Sequence, residues 1–382
     1  MLYPTELWEH NNSILPQIVR EAKSALQNYE ITLCLNNISM AEAAEGQQPI
    51  PQEAPKPEPL HIPEDERKEN GKVAFVGATV FPKWEDQITS PRQPDHEKEI
   101  PDITRGDQVL ANVKNLLEWG YNVVIIDGGS SDAFQNALKA LANEDPQLAG
   151  HLLVQEQNKE QAQRTTLGEA QRIGYRVARD LPGVEALMVT QPEKPFTYED
   201  LRRFTAPILS GKADMVIPYR VSELKDYPPE QRRYELWGNR EMSEALQNFG
   251  LLPDGVILDI YNGTRIVRND PHILDAILMR FDETVLSFYR KLSLENPALL
   301  AFLDPDQWFA VLYGPVARLL FEGYRIASVD SDYKHPPAQT AQETGNPVFD
   351  RKRAQQWAAI VPYFADFLMY LWEQSQKKKS TL

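Results

Sequence analysis

The segment Val73-Ala74-Phe75-Val76-Gly77-Ala78-Thr79-Val80-Phe81 is apolar almost from end to end, with no alternation of polar and apolar positions. A strand with one wet face alternates; one covered on both faces does not, so this run predicts a strand inside a parallel sheet with helices on each side. Residues 121–126 repeat the pattern and run directly into Asp127-Gly128-Gly129-Ser130-Ser131-Asp132. Between the two strands lie a polar, proline-punctuated insertion over 83–104 and a helix over 108–119 that Gly120 ends. Further βα repeats follow: strand 152–154 with helix 166–180, strand 186–190 with helix 198–209, and a fifth strand over 214–218. Strands and helices in strict alternation predict an α/β fold, a mainly parallel Rossmann-like sheet flanked by helices, with the ligand site at the strand C-terminal ends.

Beyond Arg220 the pattern loosens into helical stretches, with short strands at 255–260 and 264–267, an amphipathic helix over 307–322 and a late strand at 325–330. Residues 41–72 hold six prolines, eight acidic residues and no aromatic residue. Such a stretch buries too little apolar surface to offset its ordering entropy, so a disordered linker is expected there, behind an N-terminal segment with a helix at about 15–29. Four regions follow: 1–71, the N-terminal segment and linker; 72–220, a nucleotide-binding half; 221–340, an acceptor-binding half; and 341–382, a C-terminal helical extension.

Fifty-five Asp and Glu against 40 Lys and Arg give a net charge of −15, which argues against a nucleic-acid partner. The single cysteine, Cys34, excludes an internal disulfide and a Cys-based zinc site. The first ten residues lack a basic and an apolar leader region, so a cytoplasmic location is expected. Residues 357–372 are aromatic-rich but broken by Pro362 and Asp366, short of the ~20 apolar residues a spanning helix needs. Packing on the domain or in a homodimer is the first reading of this helix. Peripheral contact with an anionic membrane, aided by Lys377-Lys378-Lys379, is the second.

The most specific local signal is the turn after the second strand. A carboxylate at a buried strand tip needs a partner or a task, and Gly128-Gly129 lets the backbone turn tightly toward a ligand. Read as structure, this is a βα turn with Asp132 capping the next helix. Read as function, Asp127 accepts hydrogen bonds from a nucleobase or ribose. The strand followed by D-G-G-S-S-D resembles the nucleotide-sugar-binding turn of glycosyltransferases of the A fold (GT-A type), and the order of the other elements agrees over about residues 72–337. Within that group the layout looks closest to the retaining enzymes that make mannosylglycerate or glucosylphosphoglycerate. Val80-Phe81-Pro82, Tyr261-Asn262-Gly263-Thr264-Arg265 and His335 after Asp330 carry that likeness.

The resemblance implies a hexosyltransferase that uses a UDP- or GDP-linked sugar and a small hydroxylated, possibly anionic, acceptor. It implies donor contacts at Pro82, Asp127, Gly128, Arg164, Gly168 and Gln191. The lysine that the family places just before Gly168 is Leu167 here, so Arg164 would supply the basic contact; Lys159 also precedes that glycine. The family's Asp-x-Asp, whose two carboxylates hold Mg²⁺ or Mn²⁺ against the diphosphate, reads Gln191-Pro192-Glu193. Glu193 and His335 are the implied metal ligands, with ion pairing to Lys194 and an ordinary loop position as their plain alternatives. Should the cation be lost, Lys194 or a nearby arginine would neutralise the diphosphate.

Acceptor contacts are implied at Asn262, Gly263, Thr264 and Arg265. Asn-Gly is equally the strongest short hairpin signal, and a guanidinium at 265 suits an acceptor carboxylate or phosphate. Asp259 and Asp306 are the acids from which a general base would come in an inverting enzyme; a retaining one needs none. The competing reading is a catalytically weak nucleotide-binding or regulatory protein on the same fold. A sugar-phosphate nucleotidyltransferase is disfavoured, because the first strand lacks a Gly-rich, Arg-containing loop for a triphosphate.

Overall fold

The computed structural model describes residues 62–84, 102–143, 151–156, 167–278, 312–335, 340–341 and 343–381. The chain divides into two units, Met1–Glu64 and Asp65–Leu382. The expected helix at 15–29 and the linker over 41–61 lie outside the described residues.

Seven strands form one sheet in the order β3-β2-β1-β4-β6-β5-β7. They are β1 (Val73–Thr79), β2 (Asn122–Asp127), β3 (Leu152–Glu156), β4 (Ala186–Val189), β5 (Met215–Arg220), β6 (Arg265–Arg268) and β7 (Ile326–Ser331). β6 runs antiparallel to β4 and β5, and the other pairings are parallel. β1, β2 and β4 are buried along nearly their whole length, as unbroken apolar runs require when both faces are covered.

Helices α1 (Glu64–Asn70), α2 (Asp102–Glu118), α3 (Asp132–Asn143), α4 (Leu167–Arg179), α5 (Tyr198–Leu209), α6 (Pro229–Asn248), α7 (Pro271–Ile277), α8 (Gly314–Phe321) and α9 (Pro347–Thr381) complete the described elements. α4 packs on β1 and β2, α5 on β5, β6 and β7, and α9 on α6 and α8. One core face joins Ala74, Val76, Val124 and Ile126 to Tyr175 of α4 and to Met242, Phe364 and Leu368 of α6 and α9. The apolar stripe of the C-terminal helix is thus spent on the domain. Among the described residues, no helix is long and apolar enough to cross a membrane.

Three expectations need correction. Residues 64–70 form helix α1 rather than linker; acidic residues at its start and Arg67 and Lys68 in its last turn complement the helix dipole. α2 begins at Asp102, six residues before the expected start at 108. Residues 255–260 are not a strand, because Leu258 N–H donates to Ser243 Oγ (3.0 Å) and Tyr261 N–H to Asn239 Oδ1 (2.8 Å), both on α6. Strands from both sides of the expected 220/221 division lie in one sheet, since β5 pairs with both β6 and β7.

Candidate active site

Leaving β1, the chain reaches β2 on one side and β4 on the other, so the sheet order reverses between β1 and β4. Ligands of open α/β sheets bind at such a switch point, outside the strand C-terminal ends. Thr79 and Asp127 end β1 and β2 in register with one another. The Thr79 hydroxyl donates to Asp127 Oδ2 at 2.8 Å. Asp127 Oδ1 accepts from the amides of Gly129 (3.0 Å) and Ser130 (2.8 Å) and from Gln135 Nε2 (3.2 Å).

Three of these four donors converge on Oδ1, and the Thr79 hydroxyl alone meets Oδ2. Asp127 is 1% exposed, so in the free protein its carboxylate braces the turn. What the turn presents is backbone: Gly128 is half-buried and Gly129 exposed. Gly129 has φ 122°, with open space where a Cβ would stand, a conformation closed to other residues.

The loop after β1 is tied to this turn. Phe81 N–H donates to Ser130 Oγ (2.8 Å), Ser131 N–H returns to the Phe81 carbonyl (3.1 Å), and the Phe81 ring meets Phe134 of α3 edge-on at 5.0 Å. Pro82 is left exposed at the rim. Across the switch point, Pro192 packs against Gly77, where a Cβ would come 3.0 Å from its ring. That close approach is the reason for glycine in the middle of β1.

α2 fixes the turn after β4. Arg105 and Asn112 are seven residues apart and so share a helix face. Arg105 Nη2 reaches Glu193 Oε1 at 2.5 Å and Asn112 Nδ2 donates to the Pro192 carbonyl at 2.9 Å. Arg105 also lies 5.6 Å from the centre of the Phe81 ring and keeps 42% of its side chain exposed, against 15% for Glu193. Lys194 is half-buried. With Phe196 and Leu201 it lines a small cleft against Asn112 and Leu116, and its ammonium lies 5.6 Å from the Tyr333 ring and beside Gly263. Burial first, then repulsion from Arg220, lowers its pKa to about 8.

On the expected acceptor side most named residues face inward. Asn262 Nδ2 donates to the Pro218 carbonyl (2.8 Å) and its Oδ1 accepts from Thr264 N–H (3.1 Å), an Asx turn in place of a hairpin. The Thr264 and Thr190 hydroxyls bond at 2.7 Å, joining β6 to β4. Arg265 is buried and donates to the carbonyls of Asn262, Thr264 (2.8 Å), Ile260 (2.6 Å) and Leu312 (3.3 Å). It braces the turn and cannot grip an acceptor. Of these four only Gly263 reaches the site.

Asp259 is buried in a network beneath that turn. It receives Arg220 Nε and Nη2, each at 2.6 Å, and Asn239 Nδ2 at 2.8 Å; Glu235 lies 2.8 Å from Arg220 Nη1. Burial alone would raise the Asp259 pKa, but Arg220 and these hydrogen bonds hold it below the usual carboxylate range. A low-pKa, fully bonded carboxylate is a poor proton acceptor. The backbone before α6 is strained, with φ of 49° at Glu223 and 58° at Leu224.

His335 is also buried. Its N–H donates to Asp226, its Nδ1 is 2.8 Å from Thr340 Oγ1, its Nε2 is 3.9 Å from Glu343 Oε2, and its ring lies 4.3 Å from that of Tyr227. Burial pushes its pKa down to about 4. Among the described residues, no three His, Cys, Asp or Glu side chains are grouped so as to hold a metal ion. The donor set does not fit a divalent cation: Glu193 is committed to Arg105, Gln191 is an uncharged amide, and both ring nitrogens of His335 face protein groups.

The structure thus gathers Pro82, Gly128, Gln191, Glu193 and Gly263 at one edge and turns Asp127, Asp259, Asn262, Thr264, Arg265 and His335 into its supports. Gly168 is buried near the start of α4. Arg164 and Asp306 lie outside the described residues. Sequence reasoning missed Arg105, which fell between the insertion ending at 104 and the helix expected from 108; the i, i+7 spacing of Arg105 and Asn112 on an earlier helix start was the available signal.

No protein-family model and no curated protein matches the chain. Among solved structures it is similar to a mycobacterial protein at 13% identity and TM-score 0.42, covering 72% of this chain and 71% of that one. It is similar to S. aureus TarS 1-349 in complex with UDP at 16% identity and TM-score 0.32, over 68% of this chain and 58% of that one. It is also similar to the mannosyltransferase PcManGT from Pyrobaculum calidifontis in complex with GDP-Man and Mn²⁺, at 12% identity and TM-score 0.36, over 82% and 77%.

Proposed function

We propose that this protein is a glycosyltransferase that moves a hexose from a UDP- or GDP-linked sugar to a small hydroxylated acceptor. One observation carries the reading: at the β1/β4 switch point, a backbone-lined turn braced by Asp127 stands opposite the turn of Glu193 and Lys194, which Arg105 of α2 reaches. The first suits a base and ribose, the second a diphosphate. The resemblance of the D-G-G-S-S-D turn supports the same assignment. Of the two acids considered for the acceptor side, Asp306 is retained, since Asp259 serves Arg220.

The test is nucleotide release from a panel of UDP- and GDP-hexoses, with mass spectrometry of the product in the presence of small hydroxy acids, sugars and their phosphates. Release from one donor class, accelerated by an acceptor, is the expected result. Nucleotide binding without release or transfer would favour the second reading, a regulatory nucleotide-binding protein. The commitment of Asp259 and Glu193 to arginines speaks for that reading.

A further inference from the structure

The turn after β4 has the wrong donors for a metal and the right ones for an anion. A divalent ion at Glu193 would have to displace the Arg105 guanidinium at 2.5 Å and settle next to that cation. Repulsion between unit charges a few ångströms apart works against it. An anion meets the opposite situation. Arg105 is partly exposed, and a guanidinium has five N–H donors in a planar fork that matches phosphate oxygens. Lys194 makes no hydrogen bond or ion pair with the described residues, so its three N–H donors are available at the edge of the site.

Resting on the transferase reading, we infer that the donor diphosphate is bound by the chain's own cations, Arg105 and Lys194, without a divalent metal, and that Glu193 is the resident counter-ion it replaces. Glu193 holds Arg105 over Phe81 in the free protein. An arriving phosphate takes over the guanidinium and leaves Glu193 to solvent. This role is the reverse of a metal ligand's, and the two part under substitution: removing the charge of a ligand weakens nucleotide binding, whereas removing a competing anion does not.

The experiment is calorimetric titration of the full chain with UDP and GDP, in EDTA and in Mn²⁺, for wild type, Glu193→Gln, Arg105→Gln and Lys194→Met, with thermal melts to confirm folding. Wild type is expected to bind one nucleotide equally in EDTA and Mn²⁺, and Glu193→Gln to bind as tightly or more tightly. Arg105→Gln and Lys194→Met each lose about tenfold or more in affinity. Binding seen only with Mn²⁺, or abolished by Glu193→Gln, would overturn this inference and leave the transferase reading standing. Binding of neither nucleotide in either buffer would overturn both. The wild-type comparison needs no variant, so a misfolded substitution leaves the question decidable.

Discussion

Arg220 and Asp259 form a buried two-point ion pair, Nε to Oδ2 and Nη2 to Oδ1 at 2.6 Å each, at the end of β5. The pair binds the loop beneath the acceptor-side turn to the sheet, and it removes the carboxylate from proton transfer. Breaking such a pair from one side strands a buried charge. Asp259→Ala is therefore expected to cost about 3–5 kcal/mol in urea unfolding, and the triple variant Arg220→Met/Glu235→Gln/Asp259→Leu, which leaves none of the three charges buried, markedly less. A small loss in Asp259→Ala would show that the pair is not desolvated.

Asp127 accepts four hydrogen bonds and donates none. In Asp127→Ala the Gly129 and Ser130 amides and the Gln135 side chain lose their buried acceptor. Stability is expected to fall by about 1–3 kcal/mol, and nucleotide affinity to fall with it as the Gly128–Ser131 turn loosens. Unchanged stability in chemical denaturation would contradict the bracing role of Asp127.

His335 carries a pH signature. Its folded pKa of about 4 lies below the ordinary 6.5, so between those values the unfolded chain holds a proton that the folded chain does not. Stability is lost as pH falls through that window, by up to about 3 kcal/mol, and the contribution is fully present above it. Urea midpoints from pH 4 to 7 should fall less steeply for His335→Gln than for wild type. Parallel curves would refute the shift.

Lys194 sets a second pH dependence, in binding. Its ammonium is faced by Arg220, Glu235, Glu193 and Asp259 and gives up its proton near pH 8. Affinity for UDP or GDP in EDTA should decline as pH rises from 7 to 9, whereas Lys194→Met should bind weakly and evenly over that range. An equal decline in both proteins would assign the effect elsewhere.

The sheet was legible because unbroken apolar runs have one comfortable place, a core covered on both faces. Seven of the eight expected strands and the helix Tyr198–Leu209 stand within about two residues of where apolar patterning put them. The fate of the polar residues was not legible. Asp127, Asn262 and Arg265 look like ligand contacts in sequence, but a buried turn must satisfy its own amides and carbonyls, and these side chains do so. Sequence marks such residues as needed without saying whether the need is the ligand's or the backbone's. Arg105 escaped notice for the opposite reason: its partner Glu193 is 88 residues away, and only the packing of α2 on the β4 turn brings them together.

The central claim is that a nucleotide occupies the strand ends at the β1/β4 switch point, and amide hydrogen exchange with saturating UDP or GDP tests it most directly. Slowed exchange is expected at residues 80–81, 128–131, 191, 193 and 194, with none at 71–73 and 184–185 on the opposite edge of the sheet. Protection confined to that opposite edge, or no protection at the strand ends under saturating nucleotide, would contradict the account.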